Sequence, residues 1–266
     1  MLDTVERGTQ YSLAKILVVW AAAVIPMVVL GWGASAMVGN RLDLGAGDEN
    51  REVFTHAVFL ALGLIWQFVL VLIIIRSEEG DLSWSTVRRR CWLNAPKDSY
   101  GRANRKLWWW LVPLIVLFGV WQFVPLDDAW NRLVPFLGEP AKYSFDDLLN
   151  SHERKAELEG AWQLVGLFVV LGIFNTVIGE ELLFRGVLLP KMNGVFGERD
   201  WLANGVLFGL YHLHQPWTII PSIVDGSFLL ALPSRRFQSA WMGIVTHSSQ
   251  TVFFIVISLG LVLGSA

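Results

Sequence analysis

The residues best suited to chemistry in this chain are Glu180, Glu181 and Arg185, which lie within an otherwise apolar stretch. On an α-helix, residues four apart share a face, so Glu181 and Arg185 can form an ion pair. Glu180 is rotated from Glu181 by about 100°. One carboxylate can therefore be held by the guanidinium, while Glu180 stays free for proton transfer.

Two histidines in later apolar stretches extend this set. His212 follows Phe208 by four residues, so the two share a helix face. Glu180, His212 and His247 each lie 11 residues from a charged or tryptophan residue that marks the inner end of their stretch. At about 1.5 Å per residue, the three side chains are expected at a similar depth, roughly 16 Å from that end.

A carboxylate and two imidazoles at one level suggest two kinds of chemistry. In the first, Glu180 activates a water molecule, and the histidines stabilise an oxyanion or relay protons. In the second, Glu180, His212 and His247 bind a zinc ion, as a His₂Glu set does in known hydrolases. The spacing does not choose between them, and both lead to hydrolysis of a carbonyl substrate.

The remaining histidines are interpreted as structural. His214 lies close to Pro216 and is expected in a loop or at a helix end. His56 lies near the start of an apolar stretch and is expected at the membrane interface. His152-Glu153 is not followed by the second histidine of the H-E-x-x-H zinc motif.

The composition indicates which elements position these side chains. Hydrophobic residues make up 54% of the 266 residues and charged residues only 17%, well below the roughly 25% charged residues of soluble domains. The net charge of −2 gives no reason to expect a nucleic-acid partner. The single cysteine excludes an intramolecular disulfide. The chain is therefore predicted to be a polytopic membrane protein.

Apolar stretches of about 20 residues predict membrane-spanning helices. We predict an all-α bundle of about seven helical segments, the fifth and sixth short, and find no alternating pattern of a β-barrel. The segments are residues 16–38, 53–75, 107–124, 161–187, 201–214, 217–232 and 240–263. The first is interpreted as a retained helix, because its apolar stretch is long for a signal peptide.

The charges of the loops predict the orientation. Residues 76–106 carry eight Lys or Arg against four acids, and residues 125–160 carry eight acids against four bases. Because basic loops stay on the cytoplasmic side, the first loop and the amino terminus are expected inside the cell. The expected location is the plasma or inner membrane, with the lipid bilayer as a partner.

Two motifs resemble those of the CPBP family of intramembrane proteases, which contains the CAAX prenyl endopeptidase Rce1 and the bacterial Abi-type proteins. The family pattern E-E-x-x-x-R matches residues 180–185, and F-x-x-x-H matches residues 208–212. A third, H-x-x-x-Asn/Asp, matches at His247 but has Thr251 in the last position. The resemblance covers about residues 161–256, and three motifs in order on separate helices are fairly specific.

The resemblance implies an intramembrane endopeptidase that cleaves a membrane-embedded or lipid-modified protein or peptide. By carry-over, Glu180 activates water, His212 assists, and His247 supports the oxyanion together with the fourth residue after it. Residues 161–266 would form the catalytic core and residues 1–160 the amino-terminal helices and loops, within one integrated membrane domain.

The departure at Thr251 puts the oxyanion role in question. Gln250 is also near that helix face and could supply an amide donor instead. The expectation is that Gln250→Ala impairs activity more than Thr251→Ala does.

Two other classes of function compete with the protease. A non-catalytic membrane scaffold or immunity protein could retain the family fold, and would tolerate replacement of Glu180, His212 and His247. A transporter or proton relay also uses intramembrane carboxylates and histidines, but the two halves show no clear inverted repeat of the kind found in many secondary transporters.

Overall fold

The computed structural model describes residues 9–38, 41, 45 and 47–265, and this part of the chain folds into helices without a β-strand. The longer helices are, in chain order, α1 Leu13–Val38, α2 Arg51–Glu79, α3 Trp84–Arg90, α4 Leu111–Trp121, α5 Leu126–Leu133, α6 Phe145–Asn150, α7 His152–Leu158, α8 Trp162–Lys191, α9 Asp200–Tyr211, α10 Pro216–Arg236 and α11 Trp241–Val262. Five of these (α1, α2, α8, α10 and α11) are long and apolar enough to cross a membrane. The predicted helical membrane bundle is confirmed.

All seven predicted segments are largely helical, with differences in length. The third is a 3-10 turn, Arg105–Trp110, followed by α4. The fifth is α9 followed by the 3-10 turn His212–His214. The sixth was expected to be short, but α10 has 21 residues and could span a bilayer. The amino-terminal residues 1–8, for which a cytoplasmic side is predicted, lie outside the described residues.

Helix α8, which carries the two glutamates, changes its winding twice. A π-helical segment, Ile173–Ile178, ends at Gly179, where φ is −94° and ψ is −90°. A Cβ at Gly179 would overlap the carbonyl oxygen of Phe174. A second π-helical segment, Leu182–Leu188, follows, and all seven of its residues are buried. Irregular backbone at membrane depth is tolerated where protein surrounds it, and π-helical turns are frequent at functional sites.

The second half of α8 lies at the centre of the bundle. Leu183 and Leu188 are fully buried and pack in one apolar core with Met27 of α1, Val71 of α2 and Ile244 of α11. The helix continues past residue 178, and both glutamates are buried in protein and not exposed to water. The charged run is therefore surrounded by protein.

Helix α4 is attached to the bundle through one buried side chain. Phe118 is 2% exposed, and the other residues of α4 are partly or fully exposed. At its carboxyl end, Gln122 accepts a hydrogen bond from Gln250 Nε2 of α11, at 3.2 Å. Helix α4 therefore covers one side of α11 without contributing to the main core beyond Phe118.

An ion network fixes the loop that joins α2 to α4. Arg90 is 5% exposed and donates to Glu78 Oε2 at 2.9 Å, to Tyr11 Oη at 2.7 Å and to the carbonyl of Val187 at 3.3 Å. Tyr11 also donates to Glu78. One guanidinium thus ties the end of α2 to the residues before α1 and to α8, and this holds α8 in place near its carboxyl end.

Candidate active site

The two glutamates of α8 are buried, with Glu180 2% exposed and Glu181 fully covered. Arg185 is also fully buried, and its Nη1 lies 3.1 Å from Glu181 Oε1, which confirms the predicted pair. The N–H bond does not point at that oxygen, so this contact is an ion pair without good hydrogen-bond geometry. Arg185 Nη2 instead donates to the carbonyl of Gly226 in α10, at 3.1 Å.

His247 of α11 contacts the same carboxylate. Its Nδ1 lies 3.0 Å from Glu181 Oε1. A carboxylate can only accept, so Nδ1 carries the proton and Nε2 is left for another partner. The phenyl ring of Phe118 meets the imidazole edge-on, at 5.9 Å between centroids. Glu181 therefore orients His247, a link between helices that the sequence spacing did not indicate.

A glycine lets α11 come this close to α8. A Cβ added at Gly243 would lie 2.6 Å from Glu181 Oε2 and 2.9 Å from Ser234 Oγ. The Gly243 N–H donates to that Ser234 oxygen at 3.1 Å. The approach needed for the His247–Glu181 contact thus depends on the absence of a side chain at position 243.

Phe208 of α9 lies between the two histidines. Its ring centroid is 4.9 Å from that of His212 and 6.2 Å from that of His247. The guanidinium carbon of Arg185 lies over the same ring at 4.1 Å, which is cation–π geometry. The predicted shared face of Phe208 and His212 is confirmed, and the ring joins both imidazoles to the Glu181–Arg185 pair.

His212 itself terminates α9. Its Nδ1 lies 2.9 Å from the carbonyl of Phe208 and donates to it, which leaves Nε2 as the acceptor of the neutral ring. His214 is 3% exposed and lies in the 3-10 turn that follows, as expected for a residue at a helix end. His212 and His214 stack at 5.5 Å between centroids.

His56, expected at the membrane interface, is covered by protein. It is 3% exposed, stacks on Tyr143 at 4.3 Å, and its Nδ1 lies 3.1 Å from the carbonyl of Gly31. The sequence position near the start of α2 was correct, but α1 and Tyr143 cover the side chain.

Two residues that sequence reasoning missed approach Glu180. The hydroxyl of Tyr211, fully buried, lies close enough to the Glu180 carboxylate for the two groups to interact, and its ring packs against Phe184, one turn after Glu180. Gln67 of α2, also fully buried, donates from Nε2 to Tyr211 Oη at 2.6 Å. Among the described residues, none forms a hydrogen bond with Glu180 Oε2. The signal for Gln67 was present, because it is the one strongly polar side chain in the apolar run 57–75.

A third missed residue is Asp225 of α10. Its charge interacts with Arg185, and its Oδ1 is buried without a hydrogen-bond partner in the described part of the chain. The site therefore contains three carboxylates around one guanidinium, with His247 close enough to Glu180 and Asp225 for their charges to interact.

The two residues considered as replacements for the family Asn or Asp make different contacts. Gln250 is partly buried and bonds to Gln122 of α4, as described above. Thr251 Oγ1 lies 3.1 Å from the hydroxyl of Thr176 in α8. Its methyl group occupies the space where a side chain at Gly172 would be. Both residues thus join α11 to neighbouring helices.

The arrangement was also tested as a zinc site. In the part of the chain that the structure describes, no group of three or more His, Cys, Asp or Glu side chains is placed to hold a metal ion. The Nδ1 atoms of His212 and His247 contact a backbone carbonyl and Glu181, an arrangement that would leave Nε2 for a metal, but the described carboxylates and imidazoles do not converge on one point. Glu180, His212 and His247 in these positions do not fit a shared metal ion.

Comparison with known proteins gives one match. No curated protein and no solved structure matches the chain. Residues 161–263 match the family model described as type II CAAX prenyl endopeptidase Rce1-like, a protease family. This range includes all eight site residues predicted from the sequence. Over residues 161–263 the chain is similar to this family, and the resemblance that its three motifs indicated is confirmed.

Proposed function

We propose that this protein is an intramembrane endopeptidase that hydrolyses a peptide bond with a water molecule activated by Glu180. The observation that carries the proposal is the state of Glu180 itself. Its carboxylate is buried in an Rce1-like segment close to the Tyr211 hydroxyl, and its Oε2 has no hydrogen-bond partner among the described residues. Such an oxygen can accept a proton from water.

The reaction follows from general acid–base chemistry. Glu180 takes a proton from water, and the hydroxide oxygen forms a bond to the peptide carbonyl carbon. The tetrahedral intermediate collapses with cleavage of the C–N bond, and the proton held by Glu180 passes to the leaving amine. A new carboxyl terminus and a new amino terminus result.

The histidines are assigned to the oxyanion side of the reaction. With Nδ1 of His247 held by Glu181, and Nδ1 of His212 held by the Phe208 carbonyl, both rings have fixed orientations and a free Nε2. A protonated Nε2 of His247 would donate to the oxyanion, and His212 would relay protons or assist in binding the water. Arg185 and Phe208 hold this arrangement through the ion pair with Glu181 and the ring contacts with both imidazoles.

The substrate is proposed to be a membrane-associated protein or peptide. The charged run lies in α8, one of the five helices able to cross a membrane, so a substrate has to reach it within or next to the bilayer. The matched family description names prenylated CAAX proteins, and a lipid-modified substrate is included in the proposal. We place the protein in the plasma or inner membrane, with loop 76–106 and the amino terminus on the cytoplasmic side.

The test compares purified wild type with Glu180→Gln on a membrane proteome, with new amino termini identified by mass spectrometry. Removal of a general base is expected to lower the rate of cleavage by about 10²- to 10⁴-fold. Glu198→Gln is the matched control, because Glu198 is exposed in a short turn before α9. Thermal unfolding of each variant verifies that the fold is retained.

Three outcomes separate the functions under consideration. Cleavage that is lost in Glu180→Gln but kept in Glu198→Gln supports the endopeptidase. Full activity of a folded Glu180→Gln protein contradicts the role of Glu180. If wild type cleaves nothing, and the cellular function survives replacement of Glu180, the non-catalytic scaffold or immunity protein is favoured. Treatment with a chelator and metal analysis of the same samples test the zinc mechanism, and no loss of activity is expected.

A further inference from the structure

The ring of Tyr211 is held rigidly beside the proposed catalytic carboxylate. It is fully buried among aromatic side chains, with centroid distances of 5.5 Å to Phe184, 5.1 Å to His212 and 5.1 Å to His214. Packing on several sides leaves the ring little freedom to turn. Its hydroxyl therefore has a fixed position, between Gln67 and Glu180.

The direction of the hydrogen bonds follows from the chemical groups. An ionised carboxylate has acceptors only, so a hydrogen bond between the two groups takes its proton from Tyr211. The tyrosine oxygen then accepts from an amide N–H of Gln67, and Nε2 lies 2.6 Å away. Gln67 thus prevents the tyrosine proton from turning towards α2.

Gln67 is a buried polar side chain in a helix that is long and apolar enough to cross a membrane. Polar groups at membrane depth are costly, and they face the interior of the bundle where they serve a function. Gln67 is fully buried, yet its Oε1 has no hydrogen-bond partner in the described part of the chain. Its Nε2 donates a hydrogen bond to Tyr211 Oη, and this hydrogen bond offsets part of the cost of burying the amide.

We propose that Tyr211 is a positioning residue that fixes the Glu180 carboxylate for catalysis, and that Gln67 acts through Tyr211 by setting the direction of its hydroxyl. A hydrogen bond from Tyr211 to one oxygen of Glu180 would anchor the carboxylate and present its second oxygen to the attacking water. The inference rests on the proposed endopeptidase function and adds two residues to it. Gln67 lies outside the segment matched by the family model.

The test measures kcat and KM separately for Tyr211→Phe, Gln67→Met and the double variant, with a substrate identified from the proteome comparison. A hydrogen bond to a charged group corresponds to a loss of about 10- to 100-fold in kcat for Tyr211→Phe, with KM unchanged. Gln67→Met should lower kcat less. The double variant should be no slower than Tyr211→Phe alone, because Gln67 has no route to Glu180 without the hydroxyl.

A matched control is available on the same helix. Thr55 of α2 is 1% exposed and its hydroxyl has no hydrogen-bond partner in the described part of the chain, so Thr55→Val removes a buried polar group outside the site. It should leave kcat and KM unchanged.

The results separate this inference from the proposed function. The inference would be overturned if the fold-losses in kcat of Tyr211→Phe and Gln67→Met multiplied in the double variant. It would also be overturned if the variants lowered thermal stability and left kcat unchanged. Neither result would contradict the endopeptidase function. Wild type without any cleavage that depends on Glu180 would overturn both. The inference is supported if Tyr211→Phe lowers kcat and the double variant has the same kcat as Tyr211→Phe, because Gln67 then acts on Glu180 through Tyr211.

Discussion

Neutralising Glu181 is expected to cost this protein both stability and activity, for two different reasons. Glu181→Gln keeps the shape of the side chain but removes the charge that faces Arg185, 3.1 Å away and fully buried. Removing one partner of a buried ion pair costs about 3–5 kcal/mol, and here the charges of Glu180 and Asp225, which also interact with Arg185, place the cost at the lower end of that range. Native proteins have only about 5–15 kcal/mol of stability in total, so the variant should unfold far more easily.

A second variant separates the two effects. Replacing both partners, in Glu181→Leu with Arg185→Met, removes the buried charges together, and such exchanges are often neutral or stabilising. The double variant should therefore recover part of the lost stability, since Glu180 and Asp225 remain without their cation. It should remain inactive, because Nδ1 of His247 has lost the carboxylate that orients it.

The assay is equilibrium unfolding in mixed micelles, followed by the fluorescence of the 14 tryptophans, with peptide cleavage measured in parallel. Glu79→Gln is the control. Glu79 pairs with Arg89 at 2.9 Å, but both side chains are partly exposed, and such pairs contribute about 0–1 kcal/mol. If Glu181→Gln costs no more than Glu79→Gln, the buried pair does not stabilise the site as reasoned here.

Two further predictions concern α11. Gly243→Ala should cost about 1–3 kcal/mol and lower activity, because its Cβ meets Glu181 Oε2 at 2.6 Å, whereas Gly33→Ala, with open space around it, should be neutral in both assays. Gln250→Ala should lower kcat more than Thr251→Ala, since only Gln250 carries an amide donor, and equal or reversed effects in cleavage assays would contradict its proposed role.

The helical bundle could be predicted from the sequence, because membrane-spanning helices are indicated by local composition. The apolar runs identified the bundle, and the i, i+4 spacings identified the Glu181–Arg185 pair and the shared face of Phe208 and His212. The length of α10 was underestimated. Pro221, Asp225 and Pro233 interrupt the apolar run and suggested a short helix, but the chain remains helical through all three in the bundle.

Contacts between different helices could not be predicted from the sequence. The link from His247 to Glu181 depends on how closely α11 approaches α8, and Gly243 controls that distance. The hydroxyl of Tyr211 meets Gln67 across 144 residues of sequence, and no periodicity within one helix encodes such a pair. The π-helical winding around Gly179 likewise arises from packing in the core.

The hydrogen bond from Gln67 to Tyr211 has a consequence for how this protein can be divided or recombined. The matched segment, residues 161–263, contains both glutamates and both catalytic histidine candidates, but the amide that holds Tyr211 comes from α2. We therefore expect that segment, produced alone or fused to the amino-terminal helices of another protein, to keep its motifs and lose turnover. Chimeras should recover it only when the donor helix brings a glutamine to the same level as Tyr211.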